Sequence, residues 1–203
     1  MNNFNITKMK TKVLLTLALS AVLTLTSFGQ EKEKRLGFEF SGGPSLATRE
    51  IYNSKLEKGF GFEGIFHYRF FQHTGVYAGW GWNRFSGKSP FSGSNTDFEE
   101  TGYVIGLQFK HPVDGLLSSY YLRAGFLYNH IEVENNNGEI IGDTGHGPGF
   151  QFAAGVDIPL GSKWSLIPGV KYNAISGTTD IEEVPFSMDY HYLSVRIGFL
   201  RHF

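Results

Sequence analysis

The feature that most constrains this chain is a two-residue alternation of side-chain types, which is clearest over residues 191–203. There one set of alternate positions is mostly large and apolar, and the other set is mostly small or polar. Successive side chains of a β-strand point to opposite faces, so this alternation predicts a strand with two unlike faces. The apolar set includes Leu193, Val195, Ile197, Phe199 and Phe203, and the other set includes Tyr192, Ser194, Arg196 and Gly198.

Seven earlier segments show the same alternation, so the sequence predicts eight strands. The connections between them alternate between long and short. Long polar connections cover residues 48–57, 86–97, 132–148 and 176–187, and tighter ones cover residues 72–75, 111–118 and 161–163. An up-and-down meander produces this pattern when all its long connections lie at one end. We therefore predict an all-β fold, an eight-stranded antiparallel up-and-down barrel over residues 36–203.

One face of the predicted strands combines glycine with charged residues, and this combination indicates which face points inward. Solvated strand faces seldom use much glycine, because glycine weakens a strand and offers no side chain to pack. The interior of an eight-stranded barrel is narrow and is filled by side chains, so glycines there make room for larger neighbours. We predict that this face lines the lumen as a structural plug. Its charged residues are Glu39, Glu63, Arg69, Lys110, Arg123, Asp157, Lys171 and Arg196.

The opposite face carries aromatic residues toward both ends of the strands. Aromatic side chains concentrate at the two interfaces of a membrane. Backbone polar groups in hydrocarbon must all be paired, which a sheet achieves by closing on itself. The pattern therefore predicts a transmembrane barrel whose last strand pairs with its first. The aromatic residues near the long connections are Phe60, Trp82, Tyr103, Tyr128, Phe150 and Tyr172, and those near the tight turns are Phe38, Phe70, Phe109, Tyr120 and Trp164.

The first 29 residues differ from the rest of the chain. Three lysines precede an apolar run at residues 13–27, and Ser27 and Gly29 place small residues before a cleavage position. This pattern predicts a cleavable signal peptide at residues 1–29, followed by a short charged segment at residues 30–35. The apolar run is shorter than the roughly 20 residues of a membrane-spanning helix. The chain has no cysteine, which excludes disulfides and a lipid-modified cysteine.

Over residues 36–203 the chain resembles the small outer-membrane β-barrel proteins of diderm bacteria, the porin-like outer membrane protein β-barrel domain family. The resemblance implies an outer-membrane location, contact with outer-membrane lipid and lipopolysaccharide, and insertion by the barrel assembly machinery. Arg201 departs from the family pattern, which usually has an apolar or aromatic residue there, but its long side chain would reach the headgroups. The resemblance also implies a C-terminal assembly signal, which comprises Leu193, Val195, Ile197, Phe199 and Phe203.

Residues that carry chemistry in other proteins form no recognised motif in this chain. The seven histidines include no His-x-His or His-x-x-x-His pair, which would indicate zinc. Lipid A deacylases of this membrane have a His-x-Ser motif, and no histidine here is followed two residues later by serine. The acidic stretch at residues 132–148 lacks the EF-hand pattern of calcium sites and is interpreted as a solvated loop. We expect no catalytic residue, cofactor or metal.

The expected function is a structural or surface-interaction role through the four long connections, in a monomeric barrel that exposes them outside the cell. The chain is close to neutral, with a formal net charge of −1 and no basic patch, so nucleic acid is not an expected partner. Three alternatives stay open. A lipid-modifying enzyme would need a cluster of His, Ser and acidic residues on the outer wall. A narrow porin would need an open lumen, and a lipocalin-like carrier would need an apolar lumen with a polar exterior. The sequence predicts no particular loop partner.

Overall fold

The computed structural model describes residues 34–49, 56, 58–88, 95–181 and 184–203. The predicted signal peptide at residues 1–29 lies outside these ranges, as do residues 30–33 of the predicted charged segment. The described residues form nine strands and contain no helix long and apolar enough to cross a membrane. The strands are β1 (Leu36–Ala47), β2 (Lys58–Arg69), β3 (Thr74–Lys88), β4 (Asn95–Pro112), β5 (Ser119–Glu134), β6 (Ile140–Asp143), β7 (Gly147–Pro159), β8 (Trp164–Ile181) and β9 (Val184–His202).

Eight of the strands close into an antiparallel barrel in chain order, and β9 pairs with β1 to complete the ring. Phe40 lies opposite Phe199, and Ser45 lies opposite Ser194, across this closing pair. Because each of the eight long strands has a partner on both sides, the ring has no free edge. The predicted eight-stranded antiparallel barrel is confirmed. The short strand β6 is additional, and it pairs with β5 outside the ring.

The strand ends that flank the long connections all lie at one end of the barrel, called here the loop end, and the tight turns lie at the other, called the turn end. The expected boundary of the first long connection, residues 48–57, agrees with the ends of β1 and β2. Those of the other three were wrong, because paired strands continue into them. β8 and β9 run as a ladder to Ile181 and Val184, through most of the predicted connection at residues 176–187. The polar composition of these segments suggested loops. However, inward residues such as Val133 are buried against apolar side chains of other strands, which favours continued strand pairing.

The two faces of the barrel differ as the alternation predicted. The outer wall is apolar, with large side chains that are mostly about half exposed to the surroundings. The inner face buries polar and charged groups together with glycine and tyrosine. The outer-wall apolar residues include Phe40, Phe66, Val76, Ile105, Leu107, Leu122, Phe126, Phe152 and Val170.

Two inward tyrosines explain several of the inward glycines. The hydroxyl of Tyr121 would lie 2.5 Å from a Cβ atom built on Gly155, and its Cζ atom would lie 2.6 Å away. Tyr121 packs in the same way over Gly169, and Tyr77 packs over Gly106 and Gly125. No side chain fits beneath these rings, so glycine at these positions allows each tyrosine to cross the narrow lumen.

Candidate functional site

A charged cluster crosses the lumen near the turn end. Arg123 of β5 binds Glu39 of β1 with two hydrogen bonds, Nη2 to Oε2 at 2.5 Å and Nη1 to Oε1 at 3.3 Å. His67 Nε2 lies 3.1 Å from the same Glu39 Oε2, and Arg123 Nε donates to Gln108 Oε1 at 2.8 Å. The guanidinium also stacks over the Tyr121 ring at 4.3 Å. Such two-point geometry, with the remaining donors engaged, is what allows a buried ion pair to persist.

A second polar layer lies farther toward the loop end. Lys171 Nζ is 3.3 Å from Glu63 Oε1, which also accepts a hydrogen bond from Gln151 at 2.8 Å. In the same layer Asn129 and Tyr192 both donate to the Glu100 carboxylate. These groups leave a cavity of about 10 Å³ between them, which is roughly the space that one water molecule needs.

Arg196 occupies a third part of the lumen, beside β1 and β3. Its Nη2 atom lies 3.3 Å from Asn83 Oδ1 and 3.3 Å from Ser194 Oγ. Ser45 completes the group, with hydrogen bonds to Asn83 at 2.6 Å and to Ser194 at 2.7 Å. Arg196 is only 5% exposed. Its Nε and Nη1 atoms have no hydrogen-bond partner among the described residues.

An apolar layer fills the lumen at the loop end, above the polar groups. Its side chains come from the ends of strands β3, β4, β5, β8 and β9, and each is at most 2% exposed. Tyr190, a buried member of this layer, donates its hydroxyl to the backbone carbonyl of Phe98 at 3.2 Å. The sequence-based prediction assigned none of these residues to the inward face and therefore missed this layer, although only Val133 lies within a predicted connection. Its members are Phe85, Phe98, Ile131, Val133, Ile175, Met188 and Tyr190.

The predicted lumen charges fall into several groups. Glu39, Glu63, Arg123, Asp157, Lys171 and Arg196 are buried inside the barrel. Lys110 pairs with Asp157 near the turn end, and Arg69 is half-buried at the same end of β2. Glu100 was not among the predicted lumen residues, although it is 3% exposed. It shares the alternation of Gly102 and Gly106, but the predicted strand began too late to include it.

The residues of the predicted assembly signal line the outer wall of β9 and its end. Leu193, Val195, Ile197, Phe199 and Phe203 are between 47% and 61% exposed. Their recognition by the assembly machinery stays a prediction. Arg201, the residue that departs from the family pattern, lies over two rings at the turn end, 5.8 Å from the Trp164 centroid and 5.2 Å from that of Phe203.

The outer wall at the loop end carries a network of carboxylates around Arg84. The guanidinium lies 2.5 Å from Asp97, 2.8 Å from Glu99 and 3.6 Å from Glu134. Burial opposes ionisation of Asp97, but hydrogen bonds from Ser86 and Arg84 outweigh that effect and lower the pKa of Asp97. Trp82 belongs to the aromatic residues near the long connections, called here the outer aromatic level, and donates its indole N–H to Glu99 at 3.0 Å. The network therefore begins directly above the aromatic level.

A histidine and two further carboxylates adjoin this network on β5 and β6. His130 Nδ1 lies 3.1 Å from Asp143 Oδ1 and 3.7 Å from Glu132 Oε1. The His146 ring stacks on the His130 ring, with centroids 4.5 Å apart and planes inclined by 14°. Sequence analysis did not bring these residues together, because Asp143 and His146 fall in the stretch interpreted as a solvated loop.

Ser176, Asp189 and His191 form another outer-wall group, on β8 and β9. This combination of residue types is what a lipid-modifying enzyme would need, but the hydrogen bonds differ from those of a nucleophile and its base. Ser176 Oγ donates to Asp189 Oδ1 at 2.9 Å, whereas His191 Nδ1 is 2.8 Å from the Tyr172 hydroxyl. Asp189 is also paired with Arg49 at 3.2 Å. The serine is thus bound to the acid and the histidine to a tyrosine.

Comparison with solved structures shows the same architecture in other small barrels. Neisserial surface protein A (NspA) superposes with a TM-score of 0.58 at 15% sequence identity, covering 86% of this chain and 100% of that one. OprG from Pseudomonas aeruginosa gives a TM-score of 0.54 at 14% identity, covering 84% of this chain and 98% of that one. At these identities the similarity concerns the fold alone. No curated protein sequence matches the chain significantly.

The sequence profile of the family described as "Outer membrane protein beta-barrel domain" matches residues 15–203, most of the chain. The match includes all eight strands of the closed ring, with their apolar outer wall and their charged, glycine-containing interior. This chain therefore belongs to the outer membrane protein beta-barrel domain family and is an outer-membrane β-barrel protein.

Proposed function

We propose that this protein is a non-catalytic, non-conducting barrel with a structural or surface-interaction role, which it performs through its loop end on the outside of the cell. The observation that carries this proposal is the apolar layer that fills the lumen at the loop end. Ions need a continuous hydrated path through the lumen. At the loop end of the lumen, buried aromatic and aliphatic side chains occupy the space that such a path would need. The buried ion pairs beneath the layer add a second obstacle, since opening them would leave charges unpaired.

The length of the loop-end hairpins supports a surface role. β4 and β5 pair from Pro112 and Ser119 at the turn end to Asp97 and Glu134 at the loop end. The outer aromatic level on these strands lies at Tyr103 and Tyr128, so about six further residues of each strand project beyond it. A paired ribbon of this length presents ordered side chains to the exterior, rather than a flexible loop.

A cysteine-labelling experiment tests which end faces the exterior. The chain has no natural cysteine, so one introduced at Asn136 in the third long connection would be the single reactive thiol. We expect Asn136→Cys to react with a membrane-impermeant maleimide on intact cells. The matched control is Asp114→Cys, an exposed position in a tight turn, which should react only after the outer membrane is permeabilised. Labelling of Asp114→Cys alone on intact cells would contradict the proposed orientation.

A conductance measurement tests whether the lumen is closed. Folded protein inserted into planar lipid bilayers should give no stable conductance steps, because the buried side chains of the apolar layer occupy the lumen at the loop end. A porin of 16 strands, whose lumen is an aqueous channel, serves as the positive control for insertion and recording. Reproducible ohmic steps from the pure folded protein would refute the non-conducting part of the proposal and favour the porin alternative.

A further inference from the structure

We propose that His130, Glu132 and Asp143 form a binding site for one divalent transition-metal ion of the zinc type on the outer wall at the loop end. The three residues are called here the His130 site. The sequence predicted no metal, since its histidines form no zinc motif. The proposal concerns the donor groups that the β5–β6 hairpin brings together, and it does not depend on which partner the loop end contacts.

The distances between donor atoms match those around a tetrahedral ion. Zinc binds imidazole nitrogen at about 2.0–2.1 Å and carboxylate oxygen at about 2.0–2.2 Å, so two ligand atoms on the same ion lie roughly 3.4 Å apart. In the His130 site the distance from Nδ1 is 3.1 Å to Asp143 and 3.7 Å to Glu132. One ligand atom from each of the three side chains lies within 4.8 Å of the others. Small side-chain rotations would therefore complete the coordination.

The fold holds these groups in place before any ion binds. His130 and Glu132 alternate on β5 and share its outer face, and Glu132 lies directly opposite Asp143 in the pairing with β6. The backbone N–H of Gly145 donates to Asp143 Oδ1 at 2.9 Å. His146 stacks on His130 and lies 5.2 Å from the Tyr128 ring. Contacts of this kind orient metal ligands and raise the affinity of a site.

The surrounding charge also favours a cation at Glu132. The carboxylates of Glu99 and Glu134 have oxygens within 4.8 Å of a Glu132 oxygen, and like charges at this separation disfavour one another. Arg84 already lies beside Glu99 and Glu134. Glu132 and Asp143 instead have the His130 ring as their nearest partner. A divalent ion there would place two positive charges beside these carboxylates.

The donor set selects the class of metal. Calcium and magnesium prefer all-oxygen sites, whereas imidazole nitrogen suits zinc and its transition-metal neighbours. Three protein ligands leave the fourth position of a tetrahedral ion open. The Asp143 side chain is 47% exposed, so this position is accessible from outside the barrel.

The test is a zinc titration of the folded full chain in detergent micelles, produced without a polyhistidine tag. Zinc chloride is the probe, in competition with a chromophoric chelator. We expect one ion per barrel and a Kd that rises at least about tenfold in each of His130→Ala, Glu132→Gln and Asp143→Asn. Calcium and magnesium chloride should not compete at the same concentration. The matched controls are His191→Gln, another outer-wall histidine, and Glu139→Gln, an acid in the same hairpin, and both should stay within about twofold of the unmodified protein.

Two results would overturn the proposal. One is zinc binding that is no tighter in the unmodified protein than in the three site variants. The other is equal loss of binding in the control variants, which would indicate scattered surface binding. Asp143 is on β6, outside the closed ring of strands, so Asp143→Asn should not affect folding of the ring. This variant therefore tests the site even if a variant on β5 fails to fold. The folded state of each variant is checked by its electrophoretic shift on heating.

Discussion

Replacing Arg123 by methionine is expected to lower the free energy of unfolding by about 3–5 kcal/mol, because it leaves the Glu39 carboxylate in the lumen without its two-point partner. Both side chains are at most 5% exposed, so solvent cannot take over the lost hydrogen bonds. The measurement is equilibrium urea unfolding of the barrel in detergent or lipid, followed by tryptophan fluorescence.

Two comparison variants show whether the effect comes from an unpaired buried charge. Arg123→Met combined with Glu39→Gln removes both charges and should recover much of the lost stability. Arg49→Gln breaks an exposed pair, in which Arg49 and Asp189 are 56% and 53% exposed. It should cost less than about 1 kcal/mol. If the double variant were as unstable as Arg123→Met alone, the charge-pairing explanation would be wrong.

Val195→Arg is expected to destabilise the membrane-inserted barrel by about 2–4 kcal/mol, because it places a cation on the lipid-facing wall. Val195 is 54% exposed on the outer face. It lies opposite Val170 of β8. On β8, Val170 lies between Trp164, near the tight turns, and Tyr172, near the long connections. Unfolding of the purified protein in lipid bilayers measures the cost without involving the assembly machinery.

Thr178→Arg is the matched control for Val195→Arg. Thr178 is exposed and shares the outer face of β8, but it lies beyond the aromatic level, opposite Ser187. Arginine there should change stability by less than about 0.5 kcal/mol, as at most exposed surface positions. Equal effects at the two positions would mean that the outer wall of β9 does not contact hydrocarbon. A larger effect at Thr178 would mean that the membrane surrounds a different level of the barrel.

The fold was predictable because the alternation of side-chain types follows directly from the local geometry of a β-strand. Neighbouring side chains of a strand point to opposite faces, whatever the strand pairs with, so Val195 and Arg196 were assigned to different faces from the sequence alone. The alternation of long and short connections then predicted the order of the strands around the barrel. The glycines beside charged residues indicated the inward face, where Tyr121 and Tyr77 cross over them.

The partners of the inward charges were not predictable in the same way. Glu39 and Arg123 are 84 residues apart and belong to strands that do not pair. They meet only because the closed ring brings opposite walls within reach across a narrow lumen. Glu63 and Lys171 meet across the same lumen. Pairing of this kind depends on the stagger of all eight strands, which no single segment encodes.

The sequence by itself determined that there are eight strands, that each has two unlike faces and that they form a transmembrane barrel. The two-residue period of the side chains and the spacing of the turns are sufficient for these conclusions. Only the tertiary structure decided what the loop end contains. There, polar segments that resemble loops continue as paired strands, because inward residues in or beside them, such as Val133 and Phe98, are removed from water by neighbours on other strands. The same pairing places Asp143 beside His130, so the proposed metal site exists only in the folded barrel.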